Sequence, residues 1–330
     1  MNSKIIFFLF IWSITVSCTP WADRKQASVV FYNVENLFDT IDDPHVNDNE
    51  FLPDSKKEWT TERYQKKLND IAKVLTGINP ADLPEVIGLC EVENLSVLQD
   101  LVNTPAMAKG KYRIVHHDSR DARGIDVALL YRPAEFKLIS SEAIDLDAGF
   151  RTRDILHVHG KFGADEIHFF VNHWPSRVGG AEESEPRRIA VAQVLKNKVD
   201  ELLDQNPSSK IIIMGDMNDE PDNPSLLQTL GAKAPGNGGN LVNLMFPLYE
   251  QNQGSYKYRG DWNMLDQLIV TNPLLDGKGF VTIVPGNIYQ DEWMLYVNRN
   301  GEISPNRTYS GSTYTGGVSD HFPVYLKLSR

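Results

Sequence analysis

Eight short apolar runs constrain what this chain can fold into, because polar residues stand at the ends of six of them. The runs cover 28–32, 86–90, 126–131, 155–162, 167–171, 210–214, 267–270 and 324–328. Their length and their content of Val, Ile, Leu and Phe suit buried strands. Asn33 follows the first run, Glu91 the second and Asn172-His173 the fifth, while Asp216-Met217-Asn218 follows the sixth after Gly215. Asp266 and Asp320-His321 come just before the last two. If all six sets share one rim, strands with the set at their C-terminal end must run opposite to those with it at their N-terminal end. A mixed sheet meets that condition. Helical patterns lie between some runs. Tyr64, Leu68, Ile71 and Leu75 mark one helix face, starting after Thr60-Thr61 and stopping at Gly77. Ile189, Ala192, Leu195, Val199 and Leu202 mark another, beginning near Pro186-Arg187 and ending before Asn206-Pro207. Strands also follow one another directly, so the expected architecture is α/β with mixed sheets and outer helices, not a uniform βαβ wind.

The polar rim limits the chemistry. Carboxylate and amide oxygens are hard ligands that suit Mg²⁺ or Mn²⁺. Two histidines can pass protons or stabilise charge near neutral pH. No Cys or His cluster has zinc spacing, and Gly179-Gly180 and Gly316-Gly317 do not fit a phosphate-binding loop. A serine nucleophile elbow is also absent. Metal-assisted attack of water on a phosphorus centre remains.

Six segments carry a family resemblance: Tyr32-Asn33-Val34-Glu35-Asn36-Leu37-Phe38, Gly88-Leu89-Cys90-Glu91, Asn172-His173-Trp174-Pro175, Gly215-Asp216-Met217-Asn218, Leu265-Asp266 and Ser319-Asp320-His321-Phe322-Pro323-Val324. Each alone is weak. Together, in order from Asn33 to His321, the series resembles the endonuclease/exonuclease/phosphatase superfamily. That superfamily includes pancreatic deoxyribonuclease, exonuclease III-like repair enzymes, neutral sphingomyelinases and inositol polyphosphate 5-phosphatases. The resemblance implies a four-layer α/β sandwich: two facing mixed β-sheets, helices on both outer faces, and the site at one edge. It also implies roles. Glu91 would be the primary Mg²⁺ (or Mn²⁺) ligand, with Asn33 and Asp320 close to the metal, directly or through water. Asp216 would orient or deprotonate the attacking water, and Asn218 would hold that water or a phosphate oxygen. His321 would contact the scissile phosphate, with Asp266 fixing its tautomer. His173 would be a second acid/base or phosphate ligand. The first expectation is a nuclease-type, Mg-dependent phosphodiesterase acting on DNA or RNA. A phosphomonoesterase or phospholipid/inositol phosphate hydrolase is the alternative, and a non-catalytic surface binding protein the remote one.

Other features are read against plainer explanations. Cys90 adjoins Glu91, but strand alternation sends it to the opposite face, as a small buried residue. The acidic stretch from Asp39 to His45, with Asp48 and Glu50, offers ligands to a second divalent cation, although acidic loops are usually just solvated. Among the arginines, Arg177 is favoured to grip a substrate phosphate with its bidentate fork, because its loop begins beside His173. Arg187 and Arg188 flank the same loop but also suit a helix start, and Arg120, Arg123, Arg151 and Arg153 are weaker candidates for the same job, with surface ion pairs as their plainer reading. The insertion from Tyr289 to Gly317 holds Trp293, Tyr296, Tyr309 and Tyr314, which would stack on bases, touch a membrane or simply pack the loop. Its segment Pro305–Tyr309 is expected to wall the site.

The net charge is −11, which argues against tight coating of nucleic acid but not against a phosphate-cleaving enzyme that binds cations. The N-terminus reads as an export signal over residues 1–18. Lys4 precedes the apolar run Ile5–Trp12, too short to span a bilayer. Ser17-Cys18 resembles a lipoprotein cleavage box, relaxed by Thr15 where Leu is usual, so a lipid anchor on Cys18 is expected. Residues 19–27 would form a tether and 28–330 one catalytic domain, monomeric and outside the cytoplasm. With Cys90 the only other thiol, no intrachain disulfide framework is expected.

Overall fold

The chain is described by a computed structural model over residues 26–146 and 149–330. The expected signal, Cys18 and residues 19–25 of the expected tether lie outside the described residues. The first strand begins at Gln26, so residues 26 and 27 are paired with Ser329 and Leu328 instead of belonging to a tether.

Two mixed sheets form the centre. In the first, β1 (Gln26–Leu37) and β2 (Val86–Val92) run parallel, and β4 (Asp126–Tyr131) and then β3 (Arg113–His116) extend the sheet beyond β2. On the other side of β1 lies the antiparallel closing strand Val324–Ser329, which itself pairs with Val281–Thr282. The second sheet runs β5 (Phe136–Ile144), β6 (Ile155–Phe162), β7 (Asp165–His173), β8 (Lys210–Asp216), the strand Asp266–Thr271, then Leu241–Asn243 and Ala232–Lys233. Here β7 and β8 are parallel and Asp266–Thr271 is antiparallel to β8. The strand directions that the polar rim required are therefore the observed ones.

Helix α1 (Thr61–Gly77) starts where Thr60 caps it through the Arg63 N–H and ends at Gly77. The α2 helix (Leu95–Val102), capped by Asn94, was not foreseen from periodicity; with eight residues it shows barely two turns. Helix α3 (Ala181–Gln205) begins earlier than Pro186 would suggest, with that proline inside the helix.

Three apolar interfaces hold the layers. One lies between the first sheet and α1 and α2, around Trp59, Leu68, Ile71, Leu75 and Leu98. The second fills the gap between the sheets with Phe31, Leu129, Phe169, Met214 and Leu268, and Cys90 is buried there as expected. The third packs Val191, Leu195 and Val199 of α3 on Phe170, Ile211 and Ile213. Three interfaces separate four layers, and the four-layer α/β sandwich follows. Among the described residues, no helix is long and apolar enough to cross a membrane.

Candidate active site

Strand register alone brings half the site together. His173, Asp216 and Asp266 are direct partners across three neighbouring strands. Gly215 allows the approach, since a Cβ there would stand 2.5 Å from the Asn172 carbonyl oxygen. The other half comes from two irregularities. In β2, Glu91 is the extra residue between Cys90 and Val92 in the pairing with β4, and it takes φ +61°. In β1, the register with β2 shifts between Asn33 and Leu37, where Glu35 and Asn36 take φ +50° and +54°. Bulges re-aim side chains at the ends of strands, and non-glycine residues at positive φ gather at functional sites. The Asn36 N–H then donates to Glu91 Oε2 at 2.9 Å.

Asn33, fully buried, turns its amide Nδ2 toward Asp216 Oδ2 (3.0 Å) and Glu91 Oε1 (3.4 Å), while its oxygen accepts from the Glu35 N–H at 3.0 Å. In this orientation it holds the two carboxylates together and directs its oxygen away from them. His173 Nε2 lies 3.8 Å from both of those carboxylate oxygens. His321 Nε2 lies 3.8 Å from Asp216 Oδ2, and its Nδ1 is 2.7 Å from Asp266 Oδ2. Asp216 is thus flanked by both imidazoles.

The two histidines differ in charge. Burial, reinforced by Arg153, pushes His173 well below the ordinary histidine value, which favours the neutral ring. Burial opposes protonation of His321 too, but Asp266 and Asp216 outweigh it and hold it well above that value, as an imidazolium. Burial raises Asp216 to about 6, against the lowering effect of His321. Asp320, partly buried, is raised by desolvation, with His321 opposing.

Residues without an expected role complete the site. Ser255 is buried; its hydroxyl donates to Asp266 Oδ2 and accepts from the Asp266 N–H. Ser319 donates to the Asn33 carbonyl at 2.7 Å and accepts from the His321 N–H, tying the two ends of the chain's motif series together. The Tyr256 ring stacks on His321 with centroids 4.8 Å apart. Behind Asn33, the buried Lys67 donates to the carbonyls of Glu35 and Val318 (2.7 Å each) and to Thr308 Oγ1 (2.6 Å). Glu35 Oε2 accepts from the Thr308 N–H at 2.7 Å, and burial with Asp320 raises Glu35 to about 7. Glu35 and Ser319 lie inside the motif segments, and Lys67 left a signal of another kind: it lies on the apolar face with Tyr64, Leu68 and Ile71, where a lysine has to find buried partners.

Asn218, at φ +50°, donates its backbone N–H to Asp216 Oδ1 and its amide to the Trp174 carbonyl at 3.0 Å. Arg177 braces this turn: Nε donates to the Asn218 carbonyl (2.7 Å), and the other nitrogens reach Asn223, Asn263 and Asp219. Three of its N–H directions are therefore engaged by the protein, unlike the free phosphate fork expected of it. Arg153 is engaged likewise by the carbonyls of His173 and Trp174 and by Asp121. Arg188 is buried beside Asp219. In the insertion, Trp293, Tyr309 and Tyr314 pack onto the α1 side of the first sheet, leaving Tyr296 exposed.

The donor set fits a hard divalent cation. Glu91 Oε1 and Asp216 Oδ2 converge on the Asn33 amide and on His173, with Asp320 open to the same rim. Asp266 Oδ1 and His173 Nδ1 are buried with no hydrogen-bond partner in the protein. Among the described residues, two groups bring three ligand atoms within 4.8 Å of one another: Asp216–Asp266–His321, and His116–Asp118–Asp126 at the start of β4. In the first, the Asp266–His321 bond marks a charge pair more than a cage. The acidic stretch 39–50 supplies no such group. Instead, its Asp39 N–H donates to Glu93, and burial with Asp39, Asp48 and Asp43 lifts Glu93 to about 8.

With this geometry in place, the comparisons agree. The model of the Endonuclease/Exonuclease/phosphatase family matches residues 28–330, and the chain belongs to that family. Its members hydrolyse phosphoesters and use divalent metals, and the chain shares that class of chemistry. No curated protein matches the chain. Similar solved structures include TDP2 of D. rerio complexed with a single-strand DNA product (15% identity, 92% of this chain and 98% of that one, TM-score 0.57). A family protein from Bacteroides thetaiotaomicron is 18% identical over 93% and 98%, with TM-score 0.57. A mannosyl-6-phosphatase from the same organism is 17% identical over 92% and 99%, with TM-score 0.56. At these identities the likeness concerns the fold.

Proposed function

We propose that this protein is a Mg²⁺-dependent phosphodiesterase of nuclease type. The observation that carries the reading is the Asp216 carboxylate standing 3.8 Å from the Nε2 atoms of both His173 and His321, with Glu91 beside it across the Asn33 amide. A bound cation would supply charge neutralisation of the phosphate and an acidified water. Glu91 and Asp320 would hold it, with Asn33 fixing the Glu91 and Asp216 carboxylates. Asp216 would orient the attacking water and accept its proton. His321, kept protonated by Asp266, offers a fixed positive charge to a non-bridging oxygen. His173 would exchange a proton at the opposite side, and Asn218 would steady the phosphate or the water.

The test is a panel of single- and double-stranded DNA, RNA and bis-(p-nitrophenyl) phosphate, with Mg²⁺, Mn²⁺, Ca²⁺ or chelator. Metal-dependent cleavage that Asp216→Asn abolishes supports the reading. Failure to cleave any diester with any metal overturns it. A second reading, a phosphomonoesterase or phospholipid hydrolase, is favoured by the charge of −11, which offers a polyanion little attraction. Release of phosphate or headgroup in the absence of diester cleavage would select it. We further propose export with a lipid anchor on Cys18 and a monomeric domain. Cys18→Ser should then move the protein from the membrane to the soluble fraction.

A further inference from the structure

An anionic phosphate entering this site meets the carboxylates of Glu91, Asp216, Asp266 and Asp320. Cationic help from side chains is scarce, because the nearby cations are engaged elsewhere. Arg153, Arg177 and Lys67 are each bound by carbonyls or amides, as described above. Arg307 differs. Its side chain is 42% exposed, and its acidic partner is Asp320 Oδ2 at 3.9 Å, too far for a closed hydrogen-bonded pair. It also shares a side-chain hydrogen bond with Tyr256, whose ring lies against His321, so its one firm partner is a neutral hydroxyl at the edge of the site. Arg123 is the other open guanidinium near the site, on the His173 side. It leans on Asp121 at 3.7 Å from the loop between β3 and β4.

The backbone around Arg307 is fixed at several points. Thr308, the next residue, is buried, and its N–H and hydroxyl are held by Glu35 and Lys67. The Arg307 carbonyl accepts from the Thr315 hydroxyl and, at 3.2 Å, from the Gly317 N–H. Gly317 is required for that closeness, since a Cβ would stand 1.9 Å from the Asn306 oxygen. An exposed arginine on an immobilised backbone has lost part of its conformational freedom before any ligand arrives. Its planar fork then matches two phosphate oxygens.

We propose that Arg307 is the substrate-binding residue that grips non-bridging phosphate oxygens, entering beside Asp320 and across Tyr256 from His321. This deepens the phosphoester reading of the same site and rests on it for the nature of the substrate. The buried Glu35–Lys67–Thr308 latch acts as its mount, linking β1, α1 and the insertion to the position of one guanidinium. The ligand chemistry is a phosphoryl group with at least two free oxygens, which both diesters and monoesters present.

The experiment compares wild type, Arg307→Gln, Arg307→Lys and Arg123→Gln in the full domain. Inorganic phosphate binding is read by calorimetry in Mg²⁺, and KM and kcat are read on bis-(p-nitrophenyl) phosphate. Arg307→Gln should weaken phosphate ~10–100-fold, the range for a lost charge-assisted hydrogen bond. It should raise KM more than it lowers kcat, with an unchanged melting temperature, because the latch uses the backbone. Arg307→Lys should recover part of the affinity, and Arg123→Gln should leave it unchanged. Phosphate binding by Arg307→Gln within twofold of wild type overturns the proposal, as does an equal loss in Arg123→Gln, which would mark a general field effect. The binding measurement decides this question even if no diester is cleaved, so its failure and that of the phosphodiesterase reading are distinguishable.

Discussion

Asp216 concentrates the chemistry of the site, and single residues around it are the sharpest tests. Asp216→Asn keeps the shape and the Asn218 contact but removes the proton acceptor of the proposed mechanism, so kcat should fall by ~10²–10⁴, measured at saturating metal. Asp266 acts through His321. In Asp266→Asn the imidazolium loses the carboxylate at 2.7 Å, so the His321 pKa should drop while His173 stays neutral. NMR titration of the ring protons reads this directly, and a His321 pKa that does not move would remove Asp266 from its positioning role. Asn33, Glu91, His173, Asp216, Asn218, Asp266, Asp320 and His321 were all legible in the sequence, since a polar residue ending an apolar strand is conspicuous. Ser255 and Tyr256 were not. They sit in an ordinary polar loop, and only the hairpin that folds it over Asp266 and His321 gives them a role.

Among the elements, the bulges in β1 and β2 and the latch across α1 do most to place the site. Lys67 satisfies three buried oxygens at once. Lys67→Met should therefore destabilise the domain by about 3–5 kcal/mol, the usual result of removing one partner from a buried charged network. Urea unfolding checks this, and a loss below ~1 kcal/mol would show that the latch is dispensable. The long central strands were readable from apolar runs, but β3, β5 and the short strands Ala232–Lys233, Leu241–Asn243 and Val281–Thr282 were not. β3 and β5 are edge strands, and β5 exposes Lys137, Leu138, Ile139 and Ser140 in succession, so burial imposes no hydrophobic run on it. The early start of α3 was hidden for another reason. Its first turns carry Glu182, Glu183 and Glu185, and its apolar face begins only where the helix meets the second sheet.

For the whole molecule, the distribution of buried acids predicts how stability follows pH. Glu93 is 6% exposed, and its folded pKa of about 8 stands above the ordinary 4.5. A carboxyl raised on folding favours the native state while it keeps its proton. Its contribution is therefore full below about 4.5 and is lost as pH rises through about 8. In chelator, the urea midpoint should fall across that window, and Glu93→Gln should flatten the fall while keeping the acceptor for the Asp39 N–H. An unchanged slope in Glu93→Gln would assign the pH dependence to other groups. The sequence by itself determined the central strands, their mixed directions and the polar rim, because those follow from local pattern: apolar runs, their polar ends and the order of the motifs. Only the tertiary structure decided which arginine is open, which way the Asn33 amide turns, and that Lys67 and Glu35 hold the insertion against the site. Those outcomes depend on contacts between residues up to 273 positions apart, whose partners no local pattern specifies.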